Sequence, residues 1–133
     1  MKKTYHGSCH CGTVRFECEV DLAAPTSRCN CSICPKTRFW TELIPVDQFR
    51  LTAGEDELFD YSFGSHGVRH RFCSHCGVKV VGEGHMEPIG DFAAVNLAAL
   101  DDASEAELAA APVVYQDGAH NNWGRAPAET RYM

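Results

Sequence analysis

The chain has 133 residues, room for one domain but not two, and Leu, Ile, Val and Phe together make up only about a fifth of it. Twelve Lys and Arg against eighteen Asp and Glu give a formal charge of -6 with no basic stripe, which argues against nucleic-acid binding. No apolar run or heptad array is long enough for a membrane-spanning or coiled-coil design.

In chain order, Met1-Lys2-Lys3 starts like a signal peptide but lacks the apolar stretch that should follow, so the expected location is the cytoplasm. The first predicted element is a strand over Thr13–Val20, where Val14, Phe16, Cys18 and Val20 alternate with Arg15, Glu17 and Glu19. That alternation makes Cys18 a small hydrophobe on a core face. Arg38–Ile44 predicts a strand ended by Pro45, residues 45–50 a turn, Leu51 a short strand, and Gly54–Glu57 a polar hairpin. Further strands are expected at Leu58–Phe63, Val68–Phe72 and Val78–Val81, with a loop over Gly64–Gly67. Gly82, Gly84, Pro88 and Gly90 read as breaks before an extended segment from Phe92 to Leu97. Ser104-Glu105-Ala106-Glu107 has capping-box spacing and Pro112 supplies a stop, so one short C-terminal helix is expected over roughly 103–110. The expected fold is mainly β, with residues 1–133 forming a single domain whose loops are pinned by metal.

Eight cysteines make the metal argument. Seven fall in three clusters: Cys9 and Cys11; Cys29, Cys31 and Cys34; Cys73 and Cys76. In a cytoplasmic chain such clusters hold metal more often than they form disulfides. Thiolates two or three residues apart can share one tetrahedral ion, because sulfur–zinc bonds of about 2.3 Å tolerate those short bites. Gly77, directly after Cys76, suits a tight knuckle whose backbone N–H groups point at sulfur. The pair Cys73 and Cys76 needs two more ligands, and two pairings are open. Joining Cys9 and Cys11 closes a four-sulfur structural site and leaves Cys29, Cys31 and Cys34 with a fourth position for water or substrate. Joining the middle cluster gives five thiols and strands Cys9 and Cys11.

Gly7-Ser8-Cys9-His10-Cys11-Gly12 with the Val14 and Phe16 strand, Cys29-x-Cys31-x-x-Cys34, Gly54 to Tyr61, Phe72-Cys73-x-x-Cys76-Gly77, Val95-Asn96-Leu97 and Leu100-Asp101 run in that order. This array, over about residues 5–125, resembles the glutathione-dependent formaldehyde-activating (GFA, or CENP-V/GFA) family. The resemblance implies a zinc-binding β-tent fold, a structural zinc on Cys9, Cys11, Cys73 and Cys76, and a second, open, catalytic zinc on Cys29, Cys31 and Cys34. It implies carbon–sulfur lyase chemistry: glutathione adds to formaldehyde to give S-hydroxymethylglutathione, and the adduct is cleaved in reverse. The implied partners are a small-molecule thiol and an aldehyde. Three thiolates against a dication make a mild Lewis acid, so thiol activation is favoured over carbonyl polarisation. The sequence departs from the family where Cys34 is followed by Pro35-Lys36-Thr37-Arg38 in place of a basic pair and a small residue. Glutathione carries two carboxylates, for which Lys36, Arg38, Arg69, Arg71 and Arg125 are the candidate partners.

His10 and His75 lie inside cysteine clusters that already satisfy the ligand spacing, so neither is expected to bind metal. His66 and His70 precede the knuckle and are candidate acid, base or hydrogen-bonding groups, with His85 and His120 as weaker candidates. Trp40 and Trp123 are candidates for a pocket wall or for core packing. Two other readings compete: a non-catalytic, zinc-stabilised interaction module, and a methionine-sulfoxide reductase. The module would close the second site with a fourth protein ligand. The reductase needs a nucleophilic cysteine outside the metal pairs, and none follows Cys76.

Overall fold

The structure, a computed structural model, describes residues Met1–Met133. Strands β1 (Lys3–Ser8), β2 (Arg15–Val20) and β5 (Phe49–Ala53) form a three-stranded antiparallel sheet in the order β1-β2-β5. A seven-stranded sheet holds β3 (Thr26–Cys29), β4 (Thr41–Pro45), β6 (Leu58–Tyr61), β7 (Val68–Cys73), β8 (Lys79–Met86), β9 (Gly90–Asn96) and β10 (Val113–Gln116). Its order is β10-β3-β4-β9-β8-β7-β6, and only β10 and β3 run parallel. Two short helices complete the chain, α1 (Cys34–Thr37) and α2 (Glu105–Ala110). The architecture is mainly β, and both sheets give side chains to one apolar core.

The β2 alternation is real: Phe16, Cys18 and Val20 point into the core, beside Val14. Cys18 is a packing residue, 1% exposed, and burial pushes its thiol up to about 12. Val80, Val81 and Val95 close the core from the larger sheet, with Leu97 just beyond β9. Ser104 caps α2 as expected, its hydroxyl accepting from the N–H of Glu107 at 3.1 Å, while the Glu107 carboxylate, instead of closing the box, accepts from Lys3 at 2.8 Å and Tyr5 at 2.7 Å.

Several boundaries differ from the expectations. Gly82 and Gly84 do not break β8, which runs on to Met86. A Cβ at Gly84 would lie 2.8 Å from the Gly67 carbonyl oxygen and 2.9 Å from Cζ of Phe92, so this glycine makes room for close packing inside the sheet. The strand expected from Arg38 starts only at Thr41, because residues 34–37 form α1 and Arg38 ends it in the left-handed region at φ 53°. Pro35 sits in the first turn of that helix, where its missing N–H costs no hydrogen bond. Strand β6 stops at Tyr61 rather than Phe63, and β5 starts at Phe49 rather than Leu51. Strands β1, β3 and β10 are additions to the expected set. The β3–β10 pair is tied by Thr26, whose hydroxyl donates to the Pro112 carbonyl at 2.6 Å and accepts from the Trp40 indole at 2.7 Å.

Candidate metal centres and the cavity beside one of them

Two similar turns bring Cys9 and Cys11 to Cys73 and Cys76. In each, the first cysteine's N–H donates to a carbonyl beyond the turn: Cys9 to Val14 at 3.0 Å, Cys73 to Val78 at 2.9 Å. In each a glycine N–H returns to the first cysteine's carbonyl, from Gly12 at 3.1 Å and from Gly77 at 2.9 Å. Both glycines have positive φ, 78° and 77°, a backbone state that other residues enter only under strain. The four sulfurs lie within 4.8 Å of one another. Cys11 Sγ is 3.6 Å from that of Cys9 and 3.7 Å from that of Cys73, against the edge of about 3.8 Å of a tetrahedron with 2.3 Å metal–sulfur bonds. Backbone N–H groups point at the sulfurs, from Val14 to Cys9 at 3.3 Å and from His75 to Cys73 at 3.4 Å. Burial pushes the Cys73 thiol up to about 11. Burial also opposes ionisation of Cys76, but hydrogen bonds from the Cys11 and Val78 backbones outweigh it and bring that thiol down to about 6. All eight cysteines are free, and this group could hold one metal ion.

Cys29, Cys31 and Cys34 form the second group, their sulfurs also within 4.8 Å of one another and each half-buried. No His, Asp or Glu joins them. Cys29 ends β3, Cys34 starts α1, and Cys31 lies on the loop between. That loop is fixed by Asn30: its N–H donates to the Gln116 carbonyl at 3.3 Å, its amide to Asp117 Oδ1 at 2.9 Å, and its Oδ1 accepts from the N–H of Ala119 at 2.9 Å. Hydrogen bonds from Cys29 and then Cys34 lower the Cys31 thiol well below its ordinary value, while those with Cys29 and then Cys31 raise Cys34.

These three cysteines line a cavity of about 710 Å³, whereas none of the four-sulfur group reaches it. Phe39, Leu43, Phe63, Val68 and Trp123 give it apolar walls, and His70 and Lys79 are its titratable groups other than the thiols. The Trp123 ring lies over Gly118, where a Cβ would be 2.6 Å from Cη2 of the indole and 3.2 Å from the Cys31 Cβ. A half-open apolar cavity beside three thiols can admit a small molecule and present sulfur to it.

A family model described as glutathione-dependent formaldehyde-activating enzyme matches residues 4–117. The chain belongs to this family. A Halomonas elongata relative whose name refers to the same family is 58% identical over 79 residues, 53% of this chain and 50% of that protein. The chain thus spans about half the length of that curated relative. A solved structure of a Rhodobacter sphaeroides protein matches with a TM-score of 0.69 and 28% identity, over 82% of this chain and 99% of that one. The family match stops at residue 117, so the wall built by Gly118, Ala119 and Trp123 lies beyond it.

Other candidate residues fall unevenly about the cavity. None of Lys36, Arg38, Arg69, Arg71 and Arg125 lines it. Arg69 and Arg71 are taken up by Asp60 and Glu83, through Arg69–Glu83 at 2.6 Å and Arg71–Asp60 at 2.8 Å. Arg38 donates to the Tyr132 carbonyl at 3.1 Å, while Lys36 and Arg125 face solvent. Of the histidines only His70 lines the cavity. His75 pairs with Glu57 at 2.7 Å, His85 with Asp91 at 2.9 Å and His120 with Asp117 at 2.9 Å, and His10 and His66 are exposed. Trp40 packs on the core and Trp123 on the cavity. Sequence reasoning missed Lys79, which is 5% exposed with Nζ 2.8 Å from Nδ1 of His70. Its signal lay in the run Val78-Lys79-Val80-Val81: a strand apolar on both faces buries whatever charge it carries.

Proposed function

We propose that this chain is a zinc-dependent carbon–sulfur lyase that adds a small-molecule thiol, glutathione or a similar one, to formaldehyde or another small aldehyde, and cleaves the S-hydroxyalkyl adduct in reverse. Membership of the glutathione-dependent formaldehyde-activating family supports the substrate class. The observation that carries the reading is the division between the cysteine groups: four sulfurs grouped away from the cavity, three within its wall. Both sets are all-sulfur donors, which suits zinc over harder ions. Cys9, Cys11, Cys73 and Cys76 would hold one ion with every position filled by protein, and Cys29, Cys31 and Cys34 would hold another with one position free for the substrate. Zinc bound by the three would supply the positive charge that lowers the pKa of an incoming thiol.

The chain's own residues do the rest. Phe39, Phe63 and Trp123 give the reacting sulfur and carbon an apolar surround. Asn30 holds the loop of Cys31 against the segment that carries the outer wall. The cations proposed for the two carboxylates of glutathione do not line the cavity, so those carboxylates would stay at its solvent-facing mouth.

The test is adduct formation from ¹³C-formaldehyde and glutathione, followed by exchange NMR on protein whose zinc content is measured by elemental analysis. Two zinc ions per chain and an adduct rate well above the protein-free rate are expected. A chain with both ions that accelerates neither glutathione nor a simpler thiol refutes the reading and favours an interaction module.

A further inference from the structure

A buried ammonium shares the cavity with the three cysteines, and thiol binding alone gives it no task. Lys79 opens β8 with its Nζ 3.8 Å from the centroid of the Phe39 ring. Cys34 packs against the cluster to which that ring belongs. The lysine's hydrogen bond goes to Nδ1 of His70, so His70 accepts there. His70 is 8% exposed and is held by stacking on Phe63, ring centroids 5.5 Å apart. An ammonium has three N–H donors. His70 takes one and the Phe39 face lies against the group, which leaves donor capacity toward the cavity. Burial lowers the lysine below its ordinary value, and the field of Cys34, Cys31 and Cys29 offsets this only in part. A lysine so deeply buried in a cavity wall, with no carboxylate paired to it, marks a place where negative charge is handled.

We infer that Lys79 is the oxyanion donor of the cavity, holding the negative oxygen that forms when sulfur adds to an aldehyde, and that His70 positions it. This rests on the thiol–aldehyde reading above. In the reaction a thiol loses its proton, its sulfur pair forms the C–S bond, and the carbonyl π pair moves onto oxygen. The Lys79 N–H donates to that oxygen as its charge grows. A proton equal to the one the thiol shed then returns to the oxygen from solvent, so thiol plus aldehyde gives the hydroxyalkyl adduct with no redox change. Cleavage is the same path backwards. His70 fixes one N–H of the lysine and so aims the others.

Charge balance for the three thiolates is the simpler role, and a pair of probes separates the two. Mercaptoacetate carries a thiol and an anionic oxygen one carbon further on; 2-mercaptoethanol carries the thiol and a neutral oxygen. The zinc-loaded full chain and its Lys79→Met variant are titrated with each by calorimetry, with zinc content measured in parallel. The native chain should prefer mercaptoacetate by about tenfold or more, the value of one charge-assisted hydrogen bond. Lys79→Met should bring the ratio to within about twofold and leave both zinc content and 2-mercaptoethanol binding unchanged. His70→Phe, which keeps the stack on Phe63 and removes the acceptor, should lose part of the preference. Lys79→Gln serves if the Met variant does not fold. A native chain without the preference, a variant that keeps it, or a variant that loses zinc or weakens both thiols equally, each overturns the oxyanion role. Binding of neither probe by the native chain overturns the thiol reading itself, and this role with it.

Discussion

Cys9 and Cys73 are 3% and 0% exposed inside the apolar core, whereas Cys29, Cys31 and Cys34 are half-buried in the wall of a cavity open to solvent. The first group is fastened by backbone: two turns, two positive-φ glycines and N–H groups aimed at sulfur. The second is held by the end of β3 and one backbone bond from Asn30 to Gln116, by the Asn30 side chain, and by a single helical turn, with no positive-φ glycine turn of its own. Backbone fastening ties the four-sulfur cluster to the two sheets it joins, so an ion bound there would be part of folding. The cavity beside the three-sulfur loop leaves its sulfurs reachable. The same element in the same chain thus meets two environments, and the contrast can be broken experimentally.

The largest effect should come from Cys73→Ser. Structural zinc in a four-ligand site contributes on the order of 10 kcal/mol of folding free energy, as much as the whole net stability of a typical domain. The variant is expected to be insoluble or to show no cooperative thermal transition by circular dichroism. Cys31→Ser should instead lower adduct turnover by about a hundredfold or more while shifting the Tm by only a few degrees, and should reduce zinc from two ions to one. Comparable thermal damage from both changes would end the distinction. Graded chelation offers the same contrast without mutation: activity and one zinc should leave first, and the second zinc should leave together with the fold.

The distinction was half legible in the sequence. Spacing alone showed three cysteine clusters but left their pairing open, because partners more than 60 residues apart are chosen by sheet topology and not by local geometry. The alternation in β2 was readable because one face meets the core and the other solvent. Strand β10 was not, since four residues give too short a window and its parallel partner β3 reads Thr-Ser-Arg-Cys, with no apolar period. Strand β8 was cut short because glycine is ordinarily a strand breaker, and here it is a spacer for Phe92. Lys79 escaped because a lysine is expected at the surface; only the double burial of its strand contradicts that.

A smaller effect tests the outer wall. In Gly118→Ala the new methyl meets both the Trp123 ring and the Cys31 side chain, so the wall or the loop of three sulfurs must give way. Such overpacking costs about 1–3 kcal/mol, and it should fall on the cavity side alone. The expected result is a several-fold rise in KM for the thiol, with zinc in the four-sulfur group unaffected by a chelator that strips the other. Loss of both ions together would mean that the two groups are mechanically one.

The weakest lever is pH, and it acts first on a group belonging to neither cluster. Glu42 on β4 is half-buried, and burial raises its carboxyl to about 7, opposed by the hydrogen bond it accepts from the Asp21 N–H at 3.2 Å. The fold therefore prefers the protonated acid: this contribution to stability is complete below the ordinary value near 4.5 and is lost as pH rises through about 7. Because water still reaches the group, the loss is expected to be about 1 kcal/mol, well under the full shift, or roughly 3 °C in Tm. Glu42→Gln keeps an acceptor for Asp21 and removes the charge, so it should raise the Tm at pH 8 and leave it unchanged at pH 4. If the native Tm instead falls on acidification from pH 8 to pH 5 while zinc is released, protonation of the sulfurs dominates, and the cluster whose ion leaves first identifies the looser one.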